Sequence, residues 1–204
     1  MTLRIVRIAA VLLLGAWMPL PGSAQADISE EAVAFVASEG DEMIGILNEP
    51  AGAARRDNFH AWLREVFDLE VLAGMALGAH GQGATPEQLD AYLAAFQRYI
   101  VVTYEARFDT FTGYTFQVGR ARPMGETDTV VRTSVIDPQG VPVVVDFRVR
   151  RSGDRFQVID VAVEGLSMIK TQRDEFASVI QRSGLDGLIS SLNARAEEVA
   201  AGQN

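Results

Sequence analysis

Apolar residues return every three or four positions after Ser29: Val33, Val36, Met43, Ile44 and Leu47 share one stripe, and Glu30 and Glu31 suit the first-turn dipole. This spacing predicts a helix that Pro50 ends. A second amphipathic helix is predicted over Arg56 to Phe67, with Phe59, Leu63, Val66 and Phe67 on one face. Asp68 then caps a short third helix that stops at Gly78. Residues 79–84 read as a loop. Thr85-Pro86-Glu87-Gln88 joins an N-cap threonine, proline at the first helical position and glutamine at the capping-box position, so a long helix follows. Its stripe runs through Leu89, Tyr92, Leu93, Phe96, Ile100, Thr103, Tyr104, Arg107, Phe108 and Phe111 to a stop at Gly113, a rod of roughly 40 Å.

Beyond Gly113 the period changes to strict alternation. Tyr114, Phe116 and Val118 share a face, as do Val131, Thr133 and Val135, then Val143, Val145, Phe147 and Val149. Asp137-Pro138-Gln139-Gly140 has the composition of a type I turn, and Ser152-Gly153-Asp154 turns the chain into Phe156 to Val163. Four strands on short connections predict an antiparallel meander. Gln117, Arg132, Asp146 and Arg148 lie between the apolar positions, so one face is solvated and the other packs on helices. The last strand is apolar on both faces, which suits a doubly covered position. Arg173 to Arg182 and Leu185 to Val199 read as two final helices parted by Gly184. Helices followed by a meander, without repeat or linker, make one α+β domain.

The first 26 residues change the picture of where the chain works. Arg4 and Arg7 precede an apolar run from Ile8 to Trp17 that is too short to span a bilayer, and Ser23-Ala24-Gln25-Ala26 offers small residues for cleavage. The expectation is a secretory signal peptide over residues 1–26, cut after Ala26, and a single domain over 27–204. The domain would have 204 less 26, or 178, residues, enough to bury about 70% of the unfolded chain's surface. With no cysteine, neither a lipid-modified N-terminus nor a disulfide is expected, so packing must hold the fold. Loss of two arginines and no acid takes the net charge from −9 to −11. That sign opposes nucleic acid and bare anionic membrane.

Catalytic patterns are few. His60 and His80 are the two imidazoles, without the spacing of a metal site, and no metal or cofactor is expected. Ser167, in Gly165-Leu166-Ser167-Met168, lacks the second glycine of a nucleophile elbow and reads as a helix N-cap. Asp160 on the last strand, facing inward beside Tyr104 or Tyr114, would suit a general base of an isomerase on a cone-shaped helix-and-sheet fold. Alternatively it pairs with Arg148 or Arg173 and fixes the junction of sheet and helix. The apolar faces are either solid core or cavity wall, since a curved sheet against a long helix leaves a wedge that Thr133 and Gly119 do not fill.

The run Phe156-Gln157-Val158-Ile159-Asp160-Val161-Ala162-Val163-Glu164-Gly165-Leu166-Ser167-Met168, followed by Arg173 and Phe176, resembles the C-terminal signature of the MlaC, or toluene-tolerance, family. The likeness extends through Phe67-Asp68, Leu77-Gly78, Thr85-Pro86-Glu87-Gln88, Phe96, Tyr104, Gly113, Val145-Asp146-Phe147-Arg148-Val149, and Gly184 with Leu188-Ile189 and Leu192. It departs at Ala79-His80-Gly81, where members carry an aromatic or basic residue after Leu-Gly. The resemblance implies helices on a strongly curved sheet, similar to the cone of nuclear transport factor 2, with phospholipid acyl chains in a deep pocket and the headgroup near solvent. It also implies a monomeric periplasmic carrier, not an enzyme, that keeps the outer membrane asymmetric in lipid. Its partners would be an MlaA-like outer-membrane lipoprotein with a porin and an MlaD-like MCE subunit of an inner-membrane ABC transporter.

On that reading the pocket is expected to be lined by Tyr104, Phe108, Phe116, Val131, Val145, Phe147, Val149, Val161, Val163, Leu166, Met168, Phe176 and Ile180. Arg148 and Arg150, in a strip with Arg132 and Arg151, are the candidates for partner contact. The competing classes are the Asp160 isomerase and a ligand-free adaptor.

Overall fold

The computed structural model describes residues 22–111 and 113–202; the predicted signal peptide lies outside them except for its last five residues, which open the first helix. Five helices and one antiparallel sheet follow in the order α1 (Gly22–Leu47), α2 (Ala53–Val66), α3 (Leu69–Leu77), α4 (Pro86–Glu105), β1 (Thr115–Met124), β2 (Asp128–Ile136), β3 (Pro142–Ser152), β4 (Arg155–Val163), β5 (Leu166–Ser167) and α5 (Met168–Gly202). The fold is α+β. The strands lie in chain order, each antiparallel to the next. No described helix is long and apolar enough to cross a membrane.

Capping chemistry sets several helix ends. The Asp68 carboxylate accepts from Val71 N at 2.9 Å, opening α3. Thr85 Oγ1 accepts from Gln88 N at 3.2 Å while Gln88 Oε1 accepts from Thr85 N at 3.1 Å, closing the predicted capping box of α4. Ser167 Oγ accepts from Lys170 N at 3.0 Å and caps α5, as its sequence context suggests.

Other boundaries differ from expectation. α4 ends at Glu105, near 30 Å long, and Phe108–Phe111 forms a separate 3-10 turn before Gly113. The apolar stripe continues across this break because the turn keeps Phe111 on the same side, so periodicity alone could not locate the end. α5 begins at Met168, five residues before the expected Arg173. Gly184, at φ 73°, parts it into two segments where the sequence placed a break. The sheet has five strands, not four. Glu164 and Gly165, both at positive φ, fold Leu166 and Ser167 back onto Val163 and Ala162.

Three packed regions form the interior. Leu72, Ala76, Phe96, Phe176, Leu188 and Leu192 join α3, α4 and α5. Here the Tyr92 hydroxyl donates to the Ala73 carbonyl at 2.9 Å, and burial pushes this phenol's pKa up. A second region packs Ala32 and Val36 of α1 on Val131, Val149 and Val158 of the sheet. A third joins Ile46 and Leu47 to Phe59, Leu63 and Val101. Phe67 borders all three. It is held by a one-residue parallel bridge to Val158, with Asp68 N donating to the Val158 carbonyl at 3.1 Å.

Candidate lipid-binding cavity

Between the sheet and helices α1, α2 and α4 the packing is incomplete, and two apolar lobes of about 220 and 370 Å³ remain. The smaller lies between α1 and the sheet. Phe35, Met43 and Leu47 wall it on the helix side, and Phe116, Val135 and Phe147 on the sheet side. The larger reaches the helical cluster. Phe59, Leu63, Phe96 and Ile100 face Phe147, Val161, Val163 and Met168 across it. Met43, Trp62, Phe67, Phe111 and Phe147 belong to both walls, so the lobes are two arms of one space divided by these side chains. A carbon-lined space of this kind accepts hydrocarbon and penalises polar ligands, which would lose hydrogen bonds on entry.

The exposed wall residues mark the mouth. Tyr104, Arg107, Phe111 and Thr115 are exposed, and they cluster where α4 gives way to the 3-10 turn and β1. Tyr104 is 41% accessible, yet desolvation raises its phenol above the usual pKa, with Arg107 opposing the shift. Both observations follow from a ring whose free surface faces the cavity instead of bulk water.

Polar groups in the walls are few. Asp160 neither meets Arg148 nor Arg173 in an ion pair, which corrects the expected partners. Its carboxylate accepts from the Ser167 hydroxyl at 2.6 Å and the Ile169 amide at 3.3 Å, tying β4 to the start of α5. Arg173 instead donates to the Met75 carbonyl at 2.7 Å, and its side chain lies against Gly78. Arg148 is taken by Asp128. Glu39 lies in the smaller lobe, its carboxyl raised above the usual range by burial and then by Glu42. Among the described residues no cluster of His, Asp and Glu could hold a metal ion.

The expected lining residues fall into three groups. Tyr104, Val161, Val163 and Met168 wall the larger lobe, Phe116 the smaller, and Phe147 both. Val131, Val145, Val149 and Phe176 point inward but are buried in solid packing, and Ile180 packs against the helical cluster. Leu166 is 68% exposed on β5 because the tight Glu164-Gly165 turn swings it outward. The Phe108 side chain lies outside the described residues. Sequence reasoning found Tyr104 and Met168 but missed most of the helical half of the wall, above all Phe35, Met43, Trp62 and Phe67. Most of these sit on or beside the predicted apolar stripes. A stripe reports which face is apolar, not whether that face meets atoms or a void.

The arginine strip is occupied within the chain. Arg132 pairs with Asp146 at 2.8 Å and Arg151 with Glu31 at 3.1 Å, while Arg148 and Arg150 converge on Asp128, whose side chain is 4% exposed.

Comparison with known proteins agrees with this architecture. A phospholipid-binding protein from Ralstonia solanacearum, solved in complex with a phospholipid, superposes with a TM-score of 0.72 at 27% identity over 83% of this chain and 98% of its own. The intermembrane phospholipid transport system binding protein MlaC of Haemophilus influenzae is 22% identical over 136 residues, 64% of this chain and 63% of that protein. The toluene tolerance protein ttg2D of Pseudomonas putida is 27% identical over 121 residues, 59% and 56% of the two chains. The chain thus spans less than two thirds of these two relatives. The family model described as MlaC protein matches residues 38–194, a span that holds both lobes of the cavity except Phe35 and Val36, and the chain belongs to the MlaC family.

Proposed function

We propose that this protein is a periplasmic carrier that encloses the acyl chains of a phospholipid and moves the lipid between the outer and inner membranes, helping to keep the outer membrane asymmetric. The observation that carries the reading is the two-armed carbon-walled cavity in a chain whose structural neighbour from Ralstonia is described in complex with a phospholipid. Each CH₂ taken from water is worth about 0.8 kcal/mol, so a soluble carrier must cover nearly the whole of two long chains. Binding then needs apolar walls and few charges, which is what the cavity offers.

The proposed compartment rests on the leader-like residues 1–26. The proposed partners are an MlaA-like lipoprotein at the outer membrane and an MlaD-like transporter subunit at the inner one. Support for them is membership of the family and the acidic charge, which disfavours unassisted docking on anionic lipid.

Mass spectrometry of organic extracts from protein purified out of the periplasm tests the proposal. Phospholipid at about one per chain or more is the expected result. Extracts without lipid, from protein that also takes none from liposomes, would overturn it.

A further inference from the structure

The larger lobe carries one cationic side chain, Arg107, and the smaller carries none. Arg107 stands at the mouth, just past the end of α4, in a turn fixed by its own backbone. Its N–H donates to the Tyr104 carbonyl at 3.1 Å, and its carbonyl accepts from the Thr110 amide at 3.0 Å and hydroxyl at 2.6 Å. Among the described residues its guanidinium makes neither ion pair nor hydrogen bond. Among the described side chains, Glu105 is committed to His60 at 2.8 Å and Arg56 at 3.5 Å, and Asp160 to Ser167 and Ile169 N. The smaller lobe has the opposite sign, through Glu39. An unpaired guanidinium beside a carbon-lined space recognises an anion that is joined to hydrocarbon.

We propose that Arg107 is the headgroup site of this carrier, binding the phosphodiester at the mouth of the larger lobe and thereby selecting phospholipids over uncharged lipids with the same acyl chains. This rests on the carrier reading above. The Glu39 carboxylate repels phosphate from the other arm, so the two charges orient the lipid with its head toward the end of α4. The competing role for Arg107 is to complement the dipole at the C-terminus of α4, which would affect stability and not lipid choice.

Lipid-stripped protein is offered equal amounts of dioleoyl phosphatidylglycerol and dioleoylglycerol in non-ionic detergent micelles, and the captured lipids are weighed by mass spectrometry. The wild type should hold the phospholipid in about tenfold excess, an excess of the size one charge-assisted hydrogen bond provides. Arg107→Gln should lower that excess at least fivefold, Arg107→Lys should keep most of it, and Arg107→Glu should abolish it. Wild type without preference, or an Arg107→Gln ratio equal to wild type, would overturn the proposal and leave the carrier reading standing. Failure of the wild type to take either lipid would instead sink the carrier reading. Excess inorganic phosphate should leave the ratio intact; loss of preference in its presence would assign Arg107 to free phosphate, against the proposal.

Discussion

Asp128 shows how one buried charge can hold two strands together. Burial would raise its carboxyl, but hydrogen bonds and charge from Arg150 and Arg148 outweigh burial and hold its pKa at about 2. Arg148 Nε and Arg150 Nε donate to it at 2.9 and 2.7 Å, which ties the start of β2 to β3. Its folded pKa lies below the unfolded value of about 3.9, so this stabilisation is complete above about pH 4 and is lost as pH falls toward 2. Asp128→Asn leaves both arginines with a neutral partner and should cost about 2–4 kcal/mol at pH 7. Urea denaturation of the two proteins should show that gap narrowing between pH 4 and pH 2.5. A gap independent of pH would mean that the carboxylate's charge is not what stabilises. Reversal of Arg148 would set two carboxylates together in the same place, so neutralisation of Arg132, with its more exposed side chain, is the cleaner probe of docking. Residue type alone did not reveal this commitment, because the pairing depends on strand register.

At the scale of elements, the turns at 137–140 and 152–154, the caps of α3, α4 and α5 and the inward faces of β1, β2 and β3 were legible in the sequence, whereas the bulges and the run of β1 on to Met124 were not. In β4, Val149 pairs with Val158 but Arg148 with Asp160, so Ile159 is an extra residue. The bulge lets Val158 face inward together with Val161 and Val163, although simple alternation would place Val158 on the opposite face. It also explains a strand that reads as apolar on both sides, since Ile159 and Val158 are 0% and 2% exposed. The seat of α1 on the sheet depends on a glycine that sequence gave no reason to single out. A Cβ at Gly40 would stand 2.3 Å from Cε1 of Phe116. Gly40→Val should therefore push Phe116 into the smaller lobe or lift α1, costing about 1–3 kcal/mol beyond any gain in helix propensity. Thermal melting with lipid extraction checks both effects: a lower Tm and less bound lipid are expected. An unchanged Tm would mean that α1 shifts freely over β1.

For the whole molecule, the α+β order followed from the change in period at Gly113, but the cavity did not, because it is the difference between two curved surfaces and no residue pattern encodes it. Its use can be tested where the arms meet. Phe147 borders both lobes and packs near Phe116 with ring centroids 6.1 Å apart, on a strand whose neighbours Val145 and Val149 supply solid core. Phe147→Asp places a carboxylate where hydrocarbon would lie and should remove most bound phospholipid, while far-ultraviolet circular dichroism remains that of the folded protein. Charge sets a second expectation for the same cargo. A net charge of −9, or −11 without the proposed leader, opposes approach to anionic vesicles, and this repulsion is long-ranged, whereas burial of acyl chains in the proposed carrier's cavity would not be electrostatic. Raising ionic strength shortens the Debye length from about 30 Å at 0.01 M to about 8 Å at 0.15 M. Lipid transfer from the protein to phosphatidylglycerol vesicles should therefore quicken severalfold over that range, and transfer to neutral phosphatidylcholine vesicles should hardly change. Stopped-flow transfer of a fluorescent phospholipid measures both rates. Equal salt response toward the two vesicle types would show that docking on the bilayer is not limited by charge, and would remove the electrostatic reason for a dedicated protein partner at each membrane.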